Sequence, residues 1–181
     1  SARRGKPMSE PPTVASLVAR AVSSRARLTH ELGAWVLVGP RPAEEVDEWS
    51  FRTLSTRTLR DAAGKVEAVL DATFVVYALK KARPDGPFRN TILVGRSRTN
   101  DVCIAHSSVS KLHARVRIND NGAHLLSDAG SSNGTILDGE ALPPDQERPL
   151  ASGAHLRFGG CAVQLFEPER FVAMLARFDE S

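Results

Sequence analysis

Apolar residues recur with helical spacing near both ends of the chain. From Thr13 onward they fall at i, i+3, i+4 and i+7, with Thr13 placed as an N-cap and Gly33 just past the last turn. This pattern predicts one amphipathic helix over residues 13–32. The same spacing returns after Pro168 and predicts a short amphipathic helix that closes the chain.

Between these ends, short apolar segments alternate with turn-forming residues. Residues 114–118 alternate cleanly between apolar and polar positions, and Asn-Gly, Asp-Gly and Gly-Gly pairs separate the segments. Evenly spaced short strands with such turns are typical of an antiparallel β-sandwich. Residues 35–38 form one more candidate for a buried strand, whereas residues 51–72 are ambiguous between strand and helix.

These patterns divide the chain into four parts. Residues 1–12 hold three prolines and almost no apolar side chain, so we expect a disordered basic tail. Residues 13–72 form an N-terminal helix-containing extension, residues 73–167 the β-sandwich, and residues 168–181 the C-terminal helix. The expected fold class is mainly β, with helical additions at both ends.

The charge distribution bears on the partners. The 181 residues include 24 basic and 21 acidic ones, and Arg3, Arg4 and Lys6 precede the first acidic residue, so the rest of the chain is balanced. Without a basic face we expect no nucleic-acid partner, although weak association through the basic tail stays open. No apolar run approaches the roughly 18–20 residues of a bilayer crossing, so we expect no membrane partner either.

Two cysteines, Cys103 and Cys161, are too few for a disulfide-built scaffold or a four-cysteine zinc site. We interpret both as small core residues, and a disulfide between them stays a minor alternative. Together with His106 and His155, the two cysteines could in principle form a zinc site, but we predict no metal and no cofactor. A reducing, cytoplasmic location is the corresponding expectation.

Three turn regions carry a high density of groups suited to binding an oxyanion. They are residues 95–100, 107–113 and 128–135, and all three adjoin predicted strands. Loops at one end of a sandwich converge in space, so these turns can form one site on a rigid scaffold.

The side chains of these turns suit a dianion held beside a peptide backbone. Arg96 and Lys111 supply positive charge, Ser110 and Ser132 supply hydroxyl donors, and Asn133 can pair with a main chain.

The same turns resemble the forkhead-associated (FHA) domain, a family of phosphothreonine-peptide readers. The Gly-Arg, Ser-x-x-His and Asn-Gly blocks of the family appear in order within the segments GRSRTND, SVSKLHA and DAGSSNGT. The resemblance covers residues 73–167 and implies an FHA/SMAD-like sandwich. It leaves residues 13–72 unexplained.

The resemblance also implies roles for individual residues. Arg96 and Ser110 would contact the phosphate, with Lys111 in the adjacent supplementary position. Ser132 and Asn133 would hold the main chain of the peptide.

Three further positions match the framework of the family's site rather than its contacts. Among them, His113 would brace the binding loops through internal hydrogen bonds. Gly134 would supply the backbone of a tight turn, and Gly95 is the third framework position.

The expected function is therefore that of a non-enzymatic adaptor in Ser/Thr-kinase signalling. It would bind a phosphothreonine-containing protein or peptide after an upstream kinase has acted. A hydrolase with Ser110 and His113 as nucleophile and base lacks an identifiable orienting acid and oxyanion hole, so we predict no catalytic residues.

Two alternatives stay open besides weak nucleic-acid association through the basic tail. The protein is a scaffold if it binds an unmodified partner through a non-phosphate face or through the 13–72 extension. The second alternative concerns Thr58, which has an acidic residue three positions later. In this alternative Thr58 is phosphorylated and occupies the binding site of its own chain or of a neighbouring chain.

Overall fold

The computed structural model describes residues 10–42, 56–86 and 88–178. Within them the helices are α1 (Val14–Ser23), α2 (Arg25–Leu32) and α3 (Pro168–Phe178). The strands, in chain order, are β1 (Val36–Gly39), β2 (Thr56–Arg60), β3 (Val66–Asp71), β4 (Val75–Ala78), β5 (Thr91–Gly95), β6 (Val102–Cys103), β7 (Ala114–Ile118), β8 (His124–Asp128), β9 (Thr135–Leu137), β10 (Glu140–Ala141), β11 (Arg148–Pro149), β12 (His155–Phe158) and β13 (Cys161–Phe166).

Two sheets form a sandwich. The six-stranded sheet has the order β10-β9-β12-β13-β1-β4, and the five-stranded sheet has the order β11-β8-β7-β5-β6. Neighbouring strands run antiparallel, except that the short β6 lies parallel to β5. The predicted fold class, an antiparallel β-sandwich with helices at both ends, is confirmed.

Alternating side chains fill the space between the sheets. In β7, Ala114 and Val116 are buried in the core, and the arginines between and after them face outward. This is the alternation that the sequence predicts for residues 114–118. Because each fully buried aliphatic side chain contributes about 1.5–3 kcal/mol, this shared interior holds the two sheets together.

The helices form a third layer on the outer face of the six-stranded sheet. Side chains of α1, α2 and α3 share a second apolar cluster with Val36, Val38 and Phe166 of that sheet. The neighbour Leu37 points the other way, into the core between the sheets. All four residues of β1 are therefore buried, which explains why this strand is a continuous apolar run.

The predicted single helix over residues 13–32 is wrong, because the chain breaks at Ser24. Thr13 caps α1 as expected, through a hydrogen bond from the Ser16 amide to its hydroxyl. At the other end, the Ser23 hydroxyl bonds back to the Ala19 carbonyl, and Ser24 leaves the helical conformation. Serine side chains compete for backbone groups in this way, so two adjacent serines favour a helix end.

The ambiguous stretch contains a β-hairpin. Strands β2 and β3 pair with each other in a separate two-stranded sheet. Ala68 and Leu70 of β3 are buried in the helical cluster, while Thr58 of β2 is exposed. Residues 51–55 of that stretch lie outside the described residues.

The N-terminal extension and the sandwich share a sheet. β1, which precedes residue 73, pairs with both β4 and β13, so the expected boundary at residue 73 falls between two strands of one sheet. Pro12, part of the expected tail, accepts a hydrogen bond from the Val76 amide at 2.8 Å. Residues 1–9 of that tail lie outside the described residues, as do the acidic residues 44–48.

No helix in the described part of the chain is long and apolar enough to cross a membrane.

The shared sheet predicts that the helices and the sandwich unfold together. Leu17 of α1 is 2% exposed, and its replacement by alanine removes contacts to the second cluster, so Leu17→Ala is expected to lower the free energy of unfolding by about 2–5 kcal/mol. Val22 lies on the same helix but is 62% exposed, so Val22→Ala is the control and changes that free energy by about 0.5 kcal/mol or less. Urea unfolding followed by circular dichroism and by tryptophan fluorescence measures both effects. A separate transition for the helices contradicts this prediction.

Candidate functional site

The loops that follow β5, β6 and β8 meet at one end of the sandwich. The amides of Arg96 and Ser97 donate to the carbonyls of Ser110 and Lys111, at 2.9 and 3.1 Å. The Ala129 amide donates to the His113 carbonyl at 2.9 Å and so joins the third loop to the second. The three polar turns predicted from the sequence are therefore in contact.

Gly95 allows the first two loops to come this close. A Cβ atom at this position would lie 2.5 Å from the Lys111 carbonyl oxygen and 2.9 Å from that of Ser110. Backbone atoms cannot yield to such contacts as a flexible side chain can. A larger residue would push the loops apart, which is a physical reason for glycine at the end of β5.

Arg96 and Lys111 expose their charges beside each other's loop. The Arg96 Nε atom donates to the Val109 carbonyl at 3.0 Å, which fixes one edge of the guanidinium. The rest of the Arg96 side chain is exposed, as is Lys111. None of the ion pairs among the described residues includes either side chain. Both charges are therefore left without an internal carboxylate partner in that part of the chain.

Ser110, Ser132 and Asn133 lie across the junction of the second and third loops. The Ser110 hydroxyl oxygen accepts a hydrogen bond from the Ser132 amide at 3.0 Å. The Asn133 carboxamide donates through Nδ2 to the Ser108 carbonyl at 2.8 Å. Because the Ser110 hydroxyl acts here as an acceptor, its own proton can be donated to a ligand oxygen.

His113 joins the loops from beneath. The imidazole is fully buried, and its Nδ1 accepts a hydrogen bond from the Ser110 amide at 3.0 Å. Since Nδ1 accepts, the proton resides on Nε2, which donates to the Gly134 carbonyl at 3.0 Å. The ring also meets the Phe158 ring edge-on at 5.8 Å between centroids. His113 thus contacts the main chain of Ser110 and not its hydroxyl, which gives the pair no nucleophile–base geometry.

Gly134 takes a backbone conformation that favours glycine. Its φ angle is +78°, in the left-handed region. In this conformation its carbonyl accepts from His113 and also from the Gly159 amide at 3.0 Å. The turn therefore connects the third loop to the β12–β13 turn.

Asp128 anchors the third loop, and the sequence analysis did not identify it. Its Oδ1 atom accepts from the amides of Gly130 and Ser131 at 2.9 and 2.8 Å, and its Oδ2 atom accepts from the hydroxyls of Ser131 and Thr135, both at 2.6 Å. Burial alone would raise the pKa of this carboxyl, but the hydrogen bonds from Ser131, Thr135 and Gly130 outweigh it and hold the pKa below its ordinary value. An aspartate two residues before a glycine is a turn signal that could have revealed it.

Ser108 is a second residue that the sequence analysis did not identify. Its amide donates to His106 Nδ1 at 3.2 Å, and its hydroxyl lies 2.7 Å from the same nitrogen. The hydroxyl oxygen also accepts from the Gly160 amide at 2.9 Å, while the carbonyl accepts from Asn133. Ser108 thereby fixes the position of Asn133 relative to the β12–β13 turn.

The cysteines do not pair. Both are free thiols, and no group of three or more metal-ligating side chains occurs within residues 10–42, 56–86 and 88–178. Cys161 is buried, as the sequence interpretation has it. The interpretation is wrong for Cys103, which is only half-buried because β6 is an edge strand, and its thiol donates to the Arg96 carbonyl at 3.4 Å.

Comparison with known proteins shows which domain the sandwich is similar to. Residues 92–159 match the sequence model of the FHA domain. An FHA domain-containing protein of Arabidopsis thaliana is 38% identical over 71 residues, which cover 39% of this chain and 18% of that protein. A homologue of a protein phosphatase 1 regulatory inhibitor subunit from the same organism is 35% identical over 91 residues, 46% of this chain and 24% of that protein. The chain thus spans at most about a quarter of these two relatives.

Two FHA domains are among the solved structures that resemble this chain. The N-terminal FHA domain of Rad53p from S. cerevisiae, in complex with a phosphothreonine peptide, is 22% identical with a TM-score of 0.41, over 48% of this chain and 74% of that one. The FHA domain of a hypothetical protein from Arabidopsis thaliana is 21% identical with a TM-score of 0.43, over 75% of this chain and 87% of that one.

A β-sandwich that presents converging polar loops at one end has the architecture of a binding module. Residues 92–159 match the FHA domain, so the resemblance predicted from the three sequence blocks is confirmed over this part of the chain. Domains of this family are phosphothreonine-binding modules in signalling and are generally not enzymes.

Asp128→Asn tests the anchoring of the third loop. An asparagine would turn an amide group toward hydrogen-bond donors, so we expect a loss of about 1–3 kcal/mol in the free energy of unfolding at neutral pH. The folded-state pKa of Asp128 lies below that of the unfolded chain, so this contribution is complete above the unfolded value of about 3.9 and disappears as the pH falls through the folded value.

Urea unfolding of both proteins between pH 7 and pH 2 measures the effect. The difference between them should be largest at neutral pH and should shrink below about pH 4. Asp85→Asn, at an exposed turn position, serves as the control. A stability difference that does not change with pH contradicts the assignment.

Proposed function

We propose that the protein is a phosphothreonine-dependent adaptor that binds partner proteins after a Ser/Thr kinase has modified them. The observation that carries this proposal is the junction of three loops. There, Arg96 and Lys111 have no carboxylate partner among the described residues and lie beside the Ser110 hydroxyl and the Asn133 carboxamide. The match of residues 92–159 to the FHA domain supports the same class of ligand.

Arg96 and Ser110 are the proposed phosphate contacts. A phosphothreonine carries a charge of about −1.5 to −2 at neutral pH and three acceptor oxygens. Because the bond to Val109 uses only the Nε atom of Arg96, the terminal guanidinium nitrogens can form charge-assisted hydrogen bonds to these oxygens. The Ser110 hydroxyl adds a short donor, and Lys111 adds positive charge from the same loop.

Ser132 and Asn133 are the proposed contacts to the peptide main chain. Both side chains are exposed on the third loop. Asn133 uses one N–H group for the Ser108 carbonyl, which leaves a second N–H and the amide oxygen for a peptide amide and carbonyl. Gly95, His113 and Gly134 act in this proposal as a framework that holds the contacts in place.

Arg96→Ala is expected to abolish phosphorylation-dependent binding. Losing charge-assisted hydrogen bonds to the phosphate costs about 1.5–3 kcal/mol for each bond, or a factor of about ten or more in affinity. The variant also loses its bond to Val109, so its free energy of unfolding should fall by only about 1 kcal/mol. Calorimetric titration with a peptide library centred on phosphothreonine, and with the unphosphorylated library, measures the binding.

Arg89 offers a matched control because it is exposed and precedes β5, whereas Arg96 follows it. Arg89→Ala should bind like the unaltered protein. Equal affinity of the unaltered protein for the two libraries would contradict the proposal and favour the scaffold alternative. If Arg96→Ala unfolds instead, Arg96 belongs to the framework and not to the contacts.

A further inference from the structure

A pocket of about 230 Å³ lies beside the candidate site, between the edge strands of the two sheets. Strand β4 ends the six-stranded sheet and β6 ends the five-stranded sheet. Val75 and Tyr77 of β4 line one wall, and Cys103 and Ala105 line the opposite one. The mouth of the pocket carries charged side chains, which are Glu10, Arg41 and Arg98.

The pocket adjoins the loop that carries Arg96. Cys103 in its wall donates to the Arg96 carbonyl, and Arg98 follows Arg96 by two residues. The loop is held rigidly here, because the Asn100 amide donates to the Ser97 carbonyl at 3.1 Å and the Asn100 side chain donates to the Lys111 carbonyl at 2.6 Å. Arg98 therefore lies on a fixed, exposed turn beside the proposed phosphate position.

The described charges around this turn leave Arg98 available to an acidic ligand. No ion pair among the described residues includes Arg98, while Arg41 has one, to Glu10 at 3.7 Å. The two carboxylates that belong to the site loops are engaged inside the fold. Asp101 pairs with Lys81 at 2.8 Å, and Asp128 accepts the bonds that anchor the third loop.

The other titratable groups of the pocket do not neutralise the arginines. Burial raises the pKa of the Cys103 thiol, although Arg98 opposes this effect. Burial, followed by the charges of Cys161 and Cys103, raises the pKa of Tyr77 to about 12, with Arg41 acting in the opposite direction. Both groups are therefore uncharged at neutral pH. Among the described residues that line the pocket, two guanidinium groups face one carboxylate.

We propose that Arg98 is a specificity-determining residue that binds an acidic side chain flanking the phosphothreonine, with the stem of that side chain in the pocket between β4 and β6. The inference rests on the proposed function and adds a ligand class to it, namely acidic phosphothreonine peptides. The exposed Ala105 in the pocket lining suits the methylene groups of a glutamate or aspartate, and the guanidinium of Arg98 suits its carboxylate.

The experiment compares two sets of phosphothreonine peptides with the full chain. One set carries glutamate at the positions flanking the phosphothreonine, one position at a time, and the other carries glutamine at the same positions. At one or more positions the glutamate peptide should bind about fivefold more tightly, as expected for a partly exposed ion pair. In Arg98→Gln this preference should disappear, so that the glutamate and glutamine peptides bind with equal affinity.

Two further variants sharpen the test. Arg89→Gln, before β5, should keep the preference for glutamate in full. Arg41→Gln, at the same pocket, should reduce it partly. A preference that survives in Arg98→Gln overturns the proposal, because the attraction then comes from Arg96 and Lys111 in general. Thermal unfolding of each variant verifies that the fold is intact.

The design separates failure of this inference from failure of the proposed function. If the unaltered protein prefers phosphothreonine to threonine but does not distinguish glutamate from glutamine, only the inference fails. If it does not distinguish phosphothreonine from threonine peptides, the proposed function fails and the inference falls with it.

Discussion

The imidazole of His113 is the interaction on which the loop end of the sandwich depends. Three irregular loops meet there, and their backbone groups cannot pair in a sheet ladder. A buried polar group without a partner costs about 1–3 kcal/mol, so each loop needs specific partners. His113 satisfies one amide and one carbonyl from two different loops, and the ring itself is packed against Phe158. This side chain links the main chains of Ser110 and Gly134 directly.

The polar residues of the loop end fall into two groups with different physical roles. Asp128, His113 and Ser108 direct their hydrogen bonds inward and fix the loops. Arg96 and Lys111 remain exposed, with positive charge that no described carboxylate neutralises. Loops that are already ordered lose little conformational entropy when a ligand binds, so more of the interaction energy appears as affinity. The hydrogen bonds of Asp128, His113 and Ser108 are therefore needed to hold the loops that present Arg96 and Lys111.

Local patterns predicted the parts of the fold that local physics determines. Strand β7 alternates because one face is buried, and α3 has its apolar residues on one side, so both were visible in the sequence. The break at Ser24 was not, because it depends on a competition between serine hydroxyls and the helical backbone. The membership of β1 in the sandwich was also missed, since its pairing with β13 joins residues far apart in the chain.

As with the fold, the parts of the candidate site that lie in local sequence patterns were predictable. The contact residues lie in three recognisable blocks, and the structure brings those blocks together at one end of the sandwich. Ser108 was missed because its role comes from partners in other loops or turns, such as the Gly160 amide. Asp128 bonds within its own turn, so the local sequence could have revealed it. The pocket beside Arg98 also depends on residues that are distant in the sequence. Pro11 and Arg41 in its lining lie outside the family match at residues 92–159. If that pocket selects the ligand, selectivity belongs to the whole chain, and the extension that covers the sheet also takes part in recognition.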